Sequence, residues 1–236
     1  MKILGFDTTA KVASVALISD GKILSEFSVD NGLTQSELIL PMAEDMLAKL
    51  GIDFSDVDAY AVTTGPGSFT GVRIGVSLVK GLAFGRGVPC IPVSTLEALA
   101  ENISPLAGIL VPCMDARRGE VYTATFLSDG ENVKRVSEDR AISIKDLAEE
   151  LKERFPNEKI YLSGDGYNVA RAALTSMGLK IENTPPLLIN ENAASVARVA
   201  QRKHAEEEYT DDKGISPSYL RLPQAERERL ERESNK

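Results

Sequence analysis

The run Ala59-Tyr60-Ala61-Val62-Thr63-Thr64-Gly65-Pro66-Gly67-Ser68-Phe69-Thr70-Gly71-Val72-Arg73-Ile74-Gly75 decides how the rest of the sequence reads. An apolar, β-branched stretch meets a glycine-rich turn, and an apolar helical pattern then continues to Phe84. A strand, glycine loop and helix in that order can aim free backbone N–H groups at an anion, assisted by the helix dipole. Equally, Gly65, Gly67 and Gly71 can serve only tight turns and close packing. Neither Gly-Lys-Ser/Thr nor G-x-G-x-x-G is present, so the loop is not a Walker sequence or a dinucleotide fingerprint.

On the N-terminal side, Lys2 to Thr8, Val12 to Ser19 and Lys22 to Val29 read as three strands, with Asp20-Gly21 as a hairpin turn. Asp7 ends the first strand ahead of Thr8 and Thr9, where a carboxylate and hydroxyls can face a metal or phosphate, or simply form a turn. Thr34-Gln35-Ser36-Glu37 has capping-box spacing and predicts a helix to about Leu50, closed by Gly51. Pro41 predicts a kink in that helix or a later start.

Both helices carry more apolar surface than one core contact requires. Leu38 and Met42 flank the stripe Ile39, Ala43, Met46, and Ile74, Leu78 and Leu82 make a second face beside Val72, Val76 and Val79. Two apolar faces need two partners, either within one large domain or on another chain. The five flanking residues Leu38, Met42, Ile74, Leu78 and Leu82 are therefore the candidate partner interface.

After Ser104-Pro105 the plan restarts. Gly108 to Met114 is an apolar strand ending at Asp115, Glu120 to Leu127 alternates as a second strand, and Glu131 to Val136 reads as a third. A helix from Ser143 to Arg154, a strand from Lys159 to Ser163, the turn Gly164-Asp165-Gly166 and a helix from Tyr167 to Met177 follow, then a helix from Asn192 to Glu207. Both halves thus read strand, strand, strand, helix, strand, glycine loop, helix. Asp7 matches Asp115 at a separation of 108 residues, and Gly65 matches Gly164 at 99. The expected architecture is α/β, a two-lobed duplicated fold of the actin, Hsp70 and sugar-kinase (ASKHA, RNase H-like) group. Residues 1–104 form one lobe, 105–207 the other, and 208–236 rejoin the first. Such a fold brings strand-end acids and glycine loops to one interlobe cleft. Asp7, Gly65, Gly67, Ser68, Thr70, Asp115, Gly164 and Gly166 are its candidate nucleotide-binding residues.

Composition limits the chemistry. With 236 residues, 43% of them hydrophobic, the chain can bury a core without disulfides. Its net charge of -8 argues against a stand-alone nucleic-acid binder. The single histidine, His204, lies in a charged helix end and excludes any site built on two imidazoles, including that of H-E-x-x-H zinc proteases. Cys90 and Cys113 sit in apolar strands and read as buried thiols. An acid at position 7 comes too early for a signal peptide, and no apolar run approaches eighteen residues. A cytoplasmic protein that does not enter membranes is expected.

Asp7-Thr8-Thr9, the run Gly65 to Gly75, Lys80-Gly81-Leu82-Ala83, Asp115 to Tyr122, Gly164-Asp165-Gly166 and Pro217-Ser218-Tyr219-Leu220-Arg221 together resemble the TsaB family, formerly YeaZ. The likeness covers nearly the whole chain. Gln35-Ser36-Glu37 departs from it where His-Ser-Glu is expected. The resemblance implies a non-catalytic paralogue of TsaD in tRNA threonylcarbamoyladenosine biosynthesis, with no catalytic residue, no bound metal and no required cofactor. ATP, ADP or Mg²⁺ would bind only weakly or at a complex interface. Implied partners are a TsaD-type catalytic paralogue and a TsaE-type ATPase, with tRNA met only through the complex and a homodimer when alone. The rival reading from the residues themselves is a small-molecule kinase or ATPase, in which the cleft residues cradle phosphates and Mg²⁺.

Overall fold

The computed structural model describes residues 1–221. Its first half places strands β1 (Lys2–Asp7), β2 (Ala13–Ser19), β3 (Lys22–Val29), β4 (Ala59–Gly65) and β5 (Cys90–Ser94) in one sheet of order β3-β2-β1-β4-β5. β1, β2 and β3 run antiparallel as a meander, while β4 and β5 are parallel to β1. Side chains alternate across β1 as a strand requires. Leu4 and Phe6 enter a core shared with helices α1 (Gln35–Leu50) and α2 (Phe69–Ala83), whereas Ile3 faces the other way.

Local chemistry sets the helix ends. The Glu37 carboxylate accepts the backbone N–H of Thr34 at 2.9 Å, and Gly51 closes α1 with φ 64°. Pro41 lies exposed inside α1, which begins before it at Gln35, so of the two alternatives, a kink or a later start, the later start does not occur. α2 starts at Phe69, three residues earlier than its apolar period suggests, because Ser68 caps it through the Gly71 N–H.

The second half is built on β6 (Gly108–Arg117). β7 (Glu120–Thr123) and β8 (Phe126–Ser128) lie one after the other along a single edge of β6, both antiparallel to it. The single strand expected from Glu120 to Leu127 is therefore broken at Ala124 and Thr125. β9 (Val133–Arg135) and β10 (Arg140–Ser143) pair outside β8 and β7, and β11 (Ile160–Ser163) runs parallel on the opposite edge of β6. A lone parallel bridge between Ile160 and Ile181 stands where the first half has its fifth strand. Helices α4 (Ile144–Arg154) and α5 (Tyr167–Ser176) pack on the Ile109, Val111 and Cys113 face of β6.

The remaining helix of each half crosses over. α3 (Thr95–Asn102) follows the first sheet in sequence but packs Leu96, Leu99 and Ala100 against Leu110, Met114 and Phe126 of the second. α6 (Ala193–Ala205) does the reverse, setting Val196, Ala197 and Ala200 on Ile3, Ala61 and Ile91. Gly5 makes this approach available, since a Cβ there would sit 2.9 Å from the Ala193 carbonyl oxygen. Beyond α6 the chain returns to the first lobe: Thr210 bridges Cys90, Ile215 enters the core, and the Ser218 N–H donates to the Thr64 carbonyl at 2.8 Å. The helical tendency read between Gln224 and Arg232 lies outside the described residues.

Candidate functional site

The two lobes meet at the C-terminal ends of β1 and β6. Asp7 closes β1 fully buried, and its Oδ1 accepts the backbone N–H and the hydroxyl of Thr9 at 2.8 and 2.7 Å. Its Oδ2 is buried with no hydrogen-bond partner. Burial pushes this carboxyl up to about 6. Asp115 holds the matching place near the end of β6 in a different state. Its carboxylate accepts the Arg117 backbone N–H at 2.8 Å and pairs with the Arg117 guanidinium at 3.1 Å. Asp165, between the two glycines of the second loop, accepts the Asp115 N–H at 2.9 Å, and burial raises its carboxyl.

Sequence reasoning missed Glu191, which sits one residue before the cap of α6. It is 4% exposed and accepts the Asp165 N–H at 3.3 Å. Burial, reinforced by the nearby Asp7 carboxyl, pushes it up to about 8. No periodicity or glycine spacing marks it; the only local signal is an acid beside the capping Asn192. Lys11, Asp30, Asp115, Arg117, Asp165 and Glu191 line a cleft cavity of about 320 Å³. With Glu191 protonated at neutral pH, the three remaining carboxyls still outnumber the two cations, a poor balance for receiving a phosphate chain. Among the described residues no group of three or more His, Cys, Asp or Glu could hold a metal ion.

The glycine loop is packed tightly onto the first strand's end. The Ser68 N–H donates to the Thr9 carbonyl at 2.7 Å, and the Thr8 hydroxyl donates to the Gly71 carbonyl at 2.7 Å. A Cβ at Gly67 would lie 2.6 Å from the Thr9 carbonyl oxygen, and one at Gly71 would overlap that of Thr8. Gly65, with φ 121°, leaves room for the Ser218 carbonyl. The second loop repeats the device: Cβ atoms at Gly164 and Gly166 would sit 2.5 and 2.8 Å from the Cys113 carbonyl oxygen. Close packing thus accounts for the glycines, and the Ser68 and Gly71 N–H groups are already bonded within the chain. Thr70 is exposed and, with Ser68 and Gly71, lines an adjoining cavity of about 510 Å³ that shares Lys11 and Asp30 with the cleft. Gln35, standing where the resemblance leads one to expect histidine, donates its amide to the Ala10 carbonyl at 2.8 Å and holds that turn.

A second feature lies on the outside of the first lobe. Ile74 and Leu78 join Ile39, Leu40, Phe69 and Arg73 around a groove of about 610 Å³ between α1 and α2. Ile74 and Leu78 are half-buried in its wall, whereas Leu38 and Leu82, equally half-buried against the lobe core, are not among its lining residues. Met42 does not line it either. It is 8% exposed and packs into the lobe's own core, because it shares the sheet-facing side of α1 with Ile39 and Met46. His204 lies on the last turn of α6, stacked on Tyr209 with ring centroids 5.0 Å apart. Both cysteines are buried and free.

Two sheets built on one plan, with the strand-end acids and glycine loops at their meeting line, define a two-lobed α/β protein of the actin-like, RNase H-like class. The family model described as "TsaD: tRNA N6-adenosine threonylcarbamoyltransferase" matches residues 34–229. The chain is 31% identical to the tRNA threonylcarbamoyladenosine biosynthesis protein TsaB of Bacillus subtilis, over 98% of this chain and 99% of that one. It is 32% identical to TsaB of Escherichia coli, over 94% and 95%. The solved structure of YeaZ from Pseudomonas aeruginosa superposes with a TM-score of 0.75 at 26% identity, covering 93% of this chain and 99% of that one. The chain belongs to the TsaD-type family that this model describes and, within it, to TsaB (YeaZ). Among the described residues no helix is long and apolar enough to cross a membrane.

Proposed function

We propose that this chain takes part in tRNA threonylcarbamoyladenosine biosynthesis as a cytoplasmic, non-catalytic subunit that docks on a TsaD-type paralogue. The role in the pathway follows its family. The docking role rests on one observation: the half-buried apolar flank of α1 and α2, where Leu40, Ile74 and Leu78 surround a groove of about 610 Å³. An equivalent helix pair on a paralogue of the same fold is the natural occupant, and a second copy of this chain fills the groove when the paralogue is absent. A TsaE-type ATPase joins the assembled pair, and tRNA is met through the complex.

The cleft supports the non-catalytic reading. Asp115 is occupied by Arg117, Asp7 is buried, and the first glycine loop has its Ser68 and Gly71 N–H groups bonded internally. A kinase or ATPase needs those groups free for phosphate and Mg²⁺.

Leu78→Glu places a charge in the groove at a half-buried residue that also touches the lobe core, so the variant's fold is checked first by circular dichroism. Loss of co-purification with the TsaD-type protein, and of modified tRNA in a reconstituted reaction, is the expected result. A folded variant that retains both removes the docking reading. Turnover of Mg-ATP by the isolated chain removes the non-catalytic one.

A further inference from the structure

Residues 208–221 run back from α6 as a strap over the first lobe. Thr210 and Cys90 exchange two backbone hydrogen bonds of 2.8 and 2.9 Å, and Lys80 Nζ donates to the Lys213 carbonyl at 3.3 Å. Ile215 is 1% exposed in the lobe core, and the Ser218 N–H bonds Thr64. Tyr219 then stacks on Phe69 with ring centroids 5.1 Å apart, and its hydroxyl accepts from Arg73 Nε at 2.8 Å. The Arg73 guanidinium covers the Phe69 ring at 3.9 Å, so the three side chains form one stack.

Two residues further on, the strap reaches the second lobe. The Arg221 guanidinium donates twice to Glu120, with both bonds at 2.7 Å, and lies 5.9 Å from the Tyr122 ring centre. Glu120 opens β7 directly after the turn Arg117-Arg118-Gly119, whose residues all have positive φ. That turn carries Arg117 into the lining of the interlobe cavity. A bidentate pair between partly buried side chains fixes orientation as well as distance, and it is screened less than an exposed pair. The Tyr219 stack adds to this by holding the strap in place, so little freedom is lost when Arg221 engages.

We infer that residues 208–221 form an interlobe latch with the Arg221–Glu120 pair as its catch. Closed, the latch holds the β6–β7 hairpin, and with it the cleft wall bearing Asp115 and Arg117, at a set separation from the first lobe. Released, it leaves the lobes joined by the packing of α3 on α6, with the Asn102–Asn192 and Arg202–Glu101 bonds, and the cleft widens about that contact. Arg73 also lines the groove between α1 and α2. Whatever draws its guanidinium into that groove loosens Tyr219 and the catch together.

The test reads lobe separation in the full chain. Glu44→Cys on α1 and Glu149→Cys on α4 place spin labels at exposed sites on different lobes, while Cys90 and Cys113 remain buried. Pulsed dipolar spectroscopy should give a longer and broader distance distribution for Arg221→Ala, and likewise for the milder Arg221→Gln. In a Glu120→Gln background the Arg221 substitutions should add little, because the two residues act as one pair. An unchanged distribution in both Arg221 variants overturns the latch. So does an equal lengthening with and without the Glu120 carboxylate.

Discussion

The side-chain amide of Asn192 donates to the side-chain carbonyl of Asn102 over 2.7 Å, joining the end of α3 to the start of α6. Asn102 also donates to the Leu188 and Asn190 carbonyls, both at 3.0 Å, and Asn192 caps α6 through the Ser195 N–H at 2.8 Å. These two amides hold the segment that delivers Glu191 to the cleft. They tie the two exchanged helices together at the lobe boundary.

Asn102→Ala leaves two backbone carbonyls and the Asn192 amide without their partner. A fully buried group so orphaned costs about 1–3 kcal/mol; these three are part-buried, and rehydration offsets much of that. A loss of about 2–4 kcal/mol in urea unfolding is expected; a loss below about 1 kcal/mol would show the clasp to be incidental.

Glu191 gives the protein a specific pH response. Its carboxyl is raised from 4.5 to about 8 by burial and by Asp7. Below 4.5 both folded and unfolded chains hold the proton, so the site costs nothing. As pH rises towards 8 the unfolded chain releases the proton while the folded one retains it, and stability falls across that window. Glu191→Gln removes this loss. The variant should exceed the parent by about 4 kcal/mol at pH 8 and by less than about 1 kcal/mol at pH 5 in paired denaturant titrations. An advantage of the same size at both pH values would contradict it.

Gly71→Ala drives a Cβ into the Thr8 carbonyl oxygen, which belongs to the backbone and cannot rotate away. Overpacking of this kind costs about 1–3 kcal/mol or more. The melting temperature should drop by several degrees, whereas Gly81→Ala, with nothing within 4 Å of the added methyl, should not lower it. Similar melting of the two variants would argue against the packing role of the loop.

The thiols should be inert in the native state. Burial pushes Cys90 up to about 11 and Cys113 up to about 12. At pH 8 a thiol reagent should label both cysteines only after denaturant is added. Rapid labelling of the native chain would refute their sealed environment.

Much of the fold was legible because alternation and glycine spacing record which faces are buried. The meander, the run from β4 through the loop into α2, and the strand ending at Asp115 all follow from that pattern. Periodicity says that a helix has an apolar side, not which sheet receives it, so the crossing of α3 and α6 was invisible. β10 escaped because four half-buried residues at a sheet edge carry too short a pattern. The site was less legible for a related reason. Glu191 lies in an irregular segment, and its burial comes from elements distant in sequence. The glycine spacing marks the loop as unusual, but spacing alone cannot say whether its N–H groups face a ligand or a neighbouring strand.

The exchange of α3 and α6 also bears on the order in which the molecule can be made. On the ribosome, the five strands of the first sheet emerge well before the helix that covers Ile3, Ala61 and Ile91. At about 5–20 residues per second, the roughly 100 residues between β5 and α6 take on the order of 5–20 s to synthesise. For that interval the nascent sheet carries a bare apolar back. The finished lobe boundary is therefore not a boundary during biogenesis, and a fragment ending near residue 104 would be expected to engage chaperones or aggregate rather than fold as half of the protein.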